Sequence, residues 1–219
     1  IEGLPAITEL IARGVSVNVT LIFSVARYKQ VLQAYADGLK RRVDKQQEIG
    51  HIFSVASFFI SRIDSVVDAL LPTDSSMRGQ TAIANAVMAY QSFLDFLNTP
   101  SWKELVNKGA NLQRPLWAST GVKDPSFDPN LYVLDLVAKN TVNTMPEATL
   151  NSVKNSGVFN QDLIPSKLAS SKSILAKLAL AGIDLGKITD HLELDGVSKF
   201  ESAWLELMKT VNAIAGGSK

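Results

Sequence analysis

Polar residues gather at the ends of short β-branched stretches, and their types suit anion binding and proton transfer. In 15–22, VSVNVTLI, side chains alternate from face to face if the stretch is a strand, so Asn18 and Thr20 fall together. Val17, Val19 and Leu21 take the side suited to packing against helices, and Ile22 falls with Asn18 and Thr20. Buried polar groups must be paired, so Asn18 and Thr20 either bond to each other and to neighbouring strands or orient a substrate or a catalytic water. In 52–60, IFSVASFFI, Ser57 and Phe59 share a face, and Arg62 lies just beyond. A guanidinium offers a charge-assisted fork and a serine a short donor, a combination that suits an oxyanion such as phosphate. The plainer reading makes Arg62 a surface ion-pair partner. The stretch 114–120, RPLWAST, runs through Ser119 into Gly121-Val122-Lys123. Small hydroxylated residues, glycine and lysine can cradle an anion. A solvated lysine beside the Asp124-Pro125 turn has the same composition.

Composition narrows the chemistry. The 219 residues are 46% hydrophobic and 20% charged, ordinary for one or two domains with a sizeable core. Lys+Arg and Asp+Glu number 22 and 21, a net charge of +1. That balance argues against a nucleic-acid partner held by a broad basic surface, and against a polybasic membrane anchor. Cysteine is absent, which removes disulfides, thiolate catalysis and Cys-ligated metals. The two histidines, His51 and His191, form no HExxH, so a histidine-based metal site is not expected. No apolar run reaches the ~18 residues of a membrane span, and no charged-then-apolar leader opens the chain. The chain begins Ile1-Glu2-Gly3-Leu4-Pro5 with no initiating methionine, and reads as part of a longer protein.

The elements that must position these residues alternate. Helical periodicity covers 4–13, 25–39, 61–71, 79–97, 131–137, 166–181 and 198–215, with shorter helices at 101–106 and 146–157. Ser101 and Pro146 supply starts, and Gly109 and Gly157 supply stops. The charged run 40–48 reads as a solvated helix end and loop, 182–186 as a linker, and 216–219 as a flexible tail. Strands are expected at 15–22, 52–60, 114–120 and 140–145. Strands separated by helices imply parallel pairing through right-handed crossovers, hence an α/β fold. No Gly-rich phosphate fingerprint follows any strand, which disfavours the nucleotide-binding open sheets. Four parallel strands make either a small open sheet or half of an eight-stranded barrel.

Four segments carry a resemblance: VNVTLIFSV at 17–25, SVASFFISRID at 54–64, RPLWASTGVKDP at 114–125 and NTVNTMPEATL at 140–150. Together they resemble transaldolase, in the subgroup with RPLWAST that includes bacterial forms fused to glucose-6-phosphate isomerase. The resemblance runs from about residue 3 to residue 206. It implies a (β/α)8 TIM barrel of the class I aldolase type, in the cytoplasm and the pentose phosphate pathway, using no cofactor. In the family a strand lysine forms a Schiff base with the ketose donor. A dihydroxyacetone unit then passes from sedoheptulose 7-phosphate to glyceraldehyde 3-phosphate. By position, Asn18 resembles the asparagine that holds a hydroxyl of that unit. Thr20 resembles the threonine that positions the catalytic water with a glutamate. Ser57 and Arg62 resemble phosphate ligands, Phe59 a pocket aromatic, Lys123 a further basic phosphate ligand, and Ser119 a second polar contact beside it.

The departure from the family lies upstream. Its K-x-P-A-T-x-E-G segment, its first-strand aspartate and its third-strand glutamate have no counterpart in this chain. Residues 1–215 therefore resemble strands five to eight with their helices and a helical extension, the C-terminal half of the barrel domain. Lys123 is better explained as a phosphate contact than as a nucleophile, because a Schiff-base lysine needs desolvation or a neighbouring cation to lower its pKa. The expected partners are sugar phosphates and a complementary N-terminal barrel half, from the same parent or a separate chain, with no nucleic acid and no membrane. A noncatalytic fragment or pseudo-enzyme module, or a related Schiff-base aldolase, are the other readings.

Overall fold

The computed structural model describes residues 2–158 and 162–216. The elements are α1 (Gly3–Ala12), β1 (Val17–Ile22), α2 (Val25–Asp44), β2 (Ser54–Phe59), α3 (Ser61–Val67) with a 3-10 turn (Asp68–Leu70), α4 (Thr81–Leu97), α5 (Pro100–Asn107), β3 (Gln113–Ala118), α6 (Leu131–Leu134), β4 (Val142–Asn143), α7 (Glu147–Ser156), α8 (Leu163–Ser166), α9 (Leu168–Leu180) and α10 (Leu185–Gly216). The four strands form one sheet in the order β1-β2-β3-β4, and every pair is parallel. This is the expected α/β architecture. Its strand order has no reversal, so it lacks the switch point at which doubly wound sheets bind nucleotides.

Several element bounds differ from expectation for local reasons. Ser24 caps α2 by accepting the Arg27 N–H at 3.1 Å, and the apolar stripe Tyr28, Val31, Leu32, Tyr35 and Leu39 is buried. The helix then continues through the charged run to Asp44. Lys40 and Asp44 pair at 3.2 Å one turn apart, and Arg41 and Arg42 lie in the last turn, where the helix dipole favours cations. Thr99 rather than Ser101 caps α5, accepting the Trp102 N–H at 3.3 Å with Pro100 at the first helical position. Pro146 stands just before α7 rather than inside it, and Gly157 ends that helix with φ +64°. The fourth strand shrinks from 140–145 to two residues.

The largest difference is α10, which runs unbroken for 32 residues from Leu185. Its first half, for which the sequence indicates a linker at 182–186 and no assigned element over 187–197, carries polar residues and Gly196 but is held by tertiary contacts. Thr189 and Leu192 are buried, and Glu193 receives a two-pronged bond from Arg27 at 3.0 Å per prong. Gly216 closes the helix instead of opening a tail, and 217–219 lie outside the described residues. No helix among the described residues is long and apolar enough to cross a membrane.

Helices cover one face of the sheet. Val19, Ala56, Phe58 and Trp117 project there into a core built with Tyr28, Val31, Val87 and Phe93. Phe58 meets Tyr28 and Trp117 edge-on, with centroids 6.0 and 6.2 Å apart. The Trp117 indole N–H donates to the Leu136 carbonyl at 3.0 Å, so this large residue is buried without an orphaned donor. The register sets Asn18, Val55 and Arg114 in one row of the opposite face, and Ser57, Leu116 and Val142 in the next. Asn18 and Thr20 are exposed on it.

One residue of β1 breaks the expected alternation. Leu21 has φ +61°, and the β1/β2 register slips between Val19 and Ile22, so Ile22 rather than Leu21 lies opposite Phe58. The extra residue is a bulge, and it turns Ile22 into the helix-covered core at 1% exposure. Ile22 therefore does not share a face with Asn18 and Thr20. A left-handed backbone is strained for leucine by about 1–3 kcal/mol, held here by the core that Ile22 and Phe23 fill. Leu21 itself meets α10 at Gly196, where an added Cβ would come within 3.0 Å of a Leu21 methyl. The glycine lets the helix pass close over the end of β1.

A buried carboxyl ties α3 to α4. Asp64 accepts the Ala82 N–H at 2.7 Å and the Tyr132 hydroxyl at 2.9 Å. Burial raises its pKa from 3.8 to about 7, against the pull of both bonds. The folded chain thus holds this proton to a higher pH than the unfolded chain does. The resulting stability is complete below about pH 4 and is lost as pH rises through about 7. Asp64→Asn keeps an acceptor for Ala82 and a donor for Tyr132 but cannot ionise. Urea denaturation at about pH 5 and about pH 8 is expected to show wild-type stability falling over that interval by on the order of 1–3 kcal/mol more than the variant's. Parallel profiles would refute the raised pKa.

Candidate anion-binding site

Of the singled-out residues, Thr20, Phe59, Arg62, Ser119 and Lys123 fall toward or just past the C-terminal ends of β1, β2 and β3, where parallel α/β sheets place their ligands, whereas Asn18 is the second residue of β1 and Ser57 lies inside β2. They form three neighbourhoods. Asn18 and Ser57 are joined across β1 and β2, with the Ser57 hydroxyl donating to Asn18 Oδ1 at 2.8 Å. Ser57 is buried and Asn18 exposed, so the pair leaves the asparagine amide nitrogen presented on the uncovered face. Thr20 does not bond to Asn18. It lines a separate groove of about 590 Å³ between α1, β1 and α10, with Leu4, Ile7, Val19 and Leu194.

The third neighbourhood gathers most of the anion chemistry. Arg62 and Ser119 open onto one groove of about 500 Å³, and Lys123 lines it with them. Ser57, expected as the partner of Arg62, does not line this groove, and its hydroxyl is engaged by Asn18. Arg62 forms no ion pair among the described residues, so the surface ion-pair reading is not met. Its guanidinium instead lies over the Phe59 ring, 5.3 Å from the centroid. Stacking on an aromatic face holds the cation while leaving its N–H fork unspent. Phe59 is half-buried and also packs on Phe23 at 5.1 Å.

The backbone at the end of β3 is shaped to join this site. Ser119 adopts φ +56°. Its carbonyl accepts the Ser61 N–H at 3.0 Å, and the two hydroxyls, Ser61 and Ser119, lie 3.0 Å apart. These bonds lock the β3 end to the start of α3, the helix that carries Arg62. Further along, Arg78 donates to the Asp68 carbonyl at 2.8 Å and pairs with Asp124 at 3.2 Å. Asp124 is held below the usual carboxylate range, chiefly by bonds from the Ser126 backbone and hydroxyl and then by Arg78. Lys123 is exposed next to this clamp and makes no ion pair among the described residues.

Sequence reasoning missed the residues that α10 adds. His191, Asp195 and Lys199 stand at intervals of four on one helix face and complete the walls of the Arg62 groove. Their spacing would have revealed them had 187–197 been read as helical. The network of Asp64, Tyr132, Arg78 and Asp124 behind Lys123 was missed too, and has no local signature, since its members come from α3, α6 and two loops. No group of three or more His, Asp or Glu among the described residues is placed to hold a metal ion.

The model of the Transaldolase/Fructose-6-phosphate aldolase family matches residues 1–211. Proteins named transaldolase from Acidothermus cellulolyticus and Saccharopolyspora erythraea are each 48% identical to the chain, over 96% of its length and 58% of theirs. One from Parafrankia is 44% identical over 99% of the chain and 60% of its own length. The chain thus spans about three fifths of the length of the curated relatives it matches. By the extent of the family match and the identity across nearly all of its residues, the chain belongs to the transaldolase/fructose-6-phosphate aldolase family.

Proposed function

We propose that this chain is the sugar-phosphate-gripping, C-terminal half of a transaldolase barrel, supplying about strands five to eight. In this reading the Schiff-base lysine comes from an N-terminal segment, and the chain alone does not turn over. The activity is transfer of a dihydroxyacetone unit from sedoheptulose 7-phosphate to glyceraldehyde 3-phosphate, in the cytoplasmic pentose phosphate pathway. The observation that carries it is the Arg62 guanidinium, stacked on Phe59 with its fork free, in one groove with Ser119 and Lys123. Such a fork matches the oxygens of a phosphate monoester. The RPLWAST segment at 114–120 is the basis for the subgroup that includes forms fused to glucose-6-phosphate isomerase.

Three features support a complementary polypeptide. The sheet order runs without reversal, which suits part of a closed parallel barrel. The outer edge of β1 is unpaired among the described residues, a hazard for an isolated sheet. Beyond β1, α10 exposes Val197, Phe200, Trp204, Leu207, Val211 and Ile214, spaced alternately by three and four. That spacing makes one apolar stripe along the helix, of the kind that a packed partner covers. We assign the missing barrel half as the occupant, since about two fifths of each relative's own length lies outside the match. No lysine stands on any of the four strands, which fits a nucleophile supplied from outside them. The same observation favours the second reading, a module that binds sugar phosphate or a partner chain without catalysis.

Borohydride reduction in the presence of fructose 6-phosphate separates the two readings. The isolated chain is expected to trap no sugar. Co-produced with the upstream two fifths of the Acidothermus cellulolyticus relative, it should yield an adduct whose mass lies wholly on the upstream piece. An adduct on the present chain, or none in the complex, would overturn the proposal. In the reconstituted enzyme, Arg62→Ala should raise KM for phosphorylated donors by about 2–4 kcal/mol of lost binding and spare a non-phosphorylated donor. Equal losses for both would remove the phosphate role. Thr20→Val should lower kcat more than it raises KM, because a water-orienting hydroxyl acts in the proton-transfer steps. A pure KM effect would contradict that role.

A further inference from the structure

The groove that holds Arg62 has a wall that the family resemblance did not bring to notice. Helix α10 crosses the C-terminal end of β1 with Leu192 buried, Glu193 bound to Arg27 and Gly196 against Leu21. With those positions fixed against the body, the neighbouring face turns His191, Asp195 and Lys199 toward Arg62, Ser119 and Lys123. Three permanent cations and one imidazole therefore border the groove, against a single carboxylate. That carboxylate is not idle, for Asp195 accepts from Lys199 Nζ at 2.6 Å. It is held below the usual range first by that bond, with smaller pulls from His191 and Arg62. The acid thus sits within the field of the same cations that would receive a ligand.

We propose that α10 is part of the anion site: His191 and Lys199 join Arg62, Ser119 and Lys123 in gripping the phosphate, and His191 makes that grip pH-dependent. The proposal rests on the reading of Arg62 as a phosphate ligand. Asp195 orients Lys199 and offsets one positive charge while the groove is empty, and a dianion adds the second partner that the remaining cations lack. Histidine is the side chain that ordinarily changes charge between pH 5 and 8. The charged groups facing it are Arg62 from α3, Lys123 from the segment after β3, and Asp195 and Lys199 from its own helix. Asp124, next to Lys123, is engaged by Arg78 and stays ionised across that interval.

Sulfate is the suitable probe, because it remains a dianion across this range whereas phosphate itself titrates. Calorimetric titration of the 219-residue chain with sulfate at constant ionic strength should give binding about three- to tenfold tighter at about pH 6 than at about pH 8. In His191→Gln that ratio should fall to about one, and Lys199→Gln should weaken binding at both pH values by about threefold. The ring signals of His191 in proton NMR should shift on adding sulfate. Those of His51, at the opposite end of β2, serve as an internal control in the unmodified protein. Loss of binding in Arg62→Ala, with the pH ratio unchanged by His191→Gln and no movement of the His191 signals, overturns the part assigned to α10 and leaves the phosphate reading standing. Sulfate binding that is absent, or indifferent to Arg62→Ala, overturns both.

Discussion

Right-handed crossover between parallel strands is the constraint from which the rest of this chain follows. Each crossover here steps to the next strand in the same direction, so the connecting helices collect on one face of the sheet. That face acquires the core of Phe58, Trp117, Tyr28 and Phe93. The other face leaves Asn18 and Thr20 exposed, with Thr20 at the edge that opens toward α1 and α10. It is also the face that a closed barrel would turn inward. The same geometry sends every strand's C-terminal end to one side, which is why Phe59, Arg62, Ser119 and Lys123, from different elements, come together.

Two local distortions refine that placement. The bulge at Leu21 sends Ile22 into the core and frees Leu21 to meet α10. The left-handed Ser119 allows its carbonyl and hydroxyl to face Ser61, so the end of β3 and the start of α3 are bonded together. Strain of this kind persists only where the surroundings impose it, and it concentrates at sites that must aim a group. Here it aims the element bearing Arg62 and the segment bearing Lys123 at a common space.

Electrostatics then divides the charged groups into those already satisfied and those left available. Asp124 and Glu193 are each bound by an arginine, and Asp64 is buried and bonded on both oxygens. Arg62 and Lys123 are not neutralised by any ion pair among the described residues. Arg62 is steadied by an aromatic ring, which restrains the guanidinium without consuming its donors. Positive charge kept unpaired but oriented is what binds an anion well, since little reorganisation is needed when it arrives.

Periodicity alone was enough to reveal the alternating strands and helices and the buried stripe of α2, because side-chain alternation is a local property of sequence. Residue chemistry marked Ser57 with Arg62, and Ser119 with Lys123, as separate anion candidates, and only the fold opens Arg62, Ser119 and Lys123 onto one groove. It could not reveal the bulge at Leu21, since the backbone there is left-handed only because Ile22 and Phe23 find the core. Nor could it reveal the first half of α10, whose polar residues have modest helical preference and are held by Arg27, by the core around Leu192 and by the close passage at Gly196. The bond between Ser57 and Asn18 was likewise hidden, because it joins side chains of two strands 39 positions apart. Residue types and spacing thus determined which chemistry this chain can offer. Contacts between distant segments decided which of those groups meet, since a side chain's neighbours across strands are set by register and packing rather than by position in the chain.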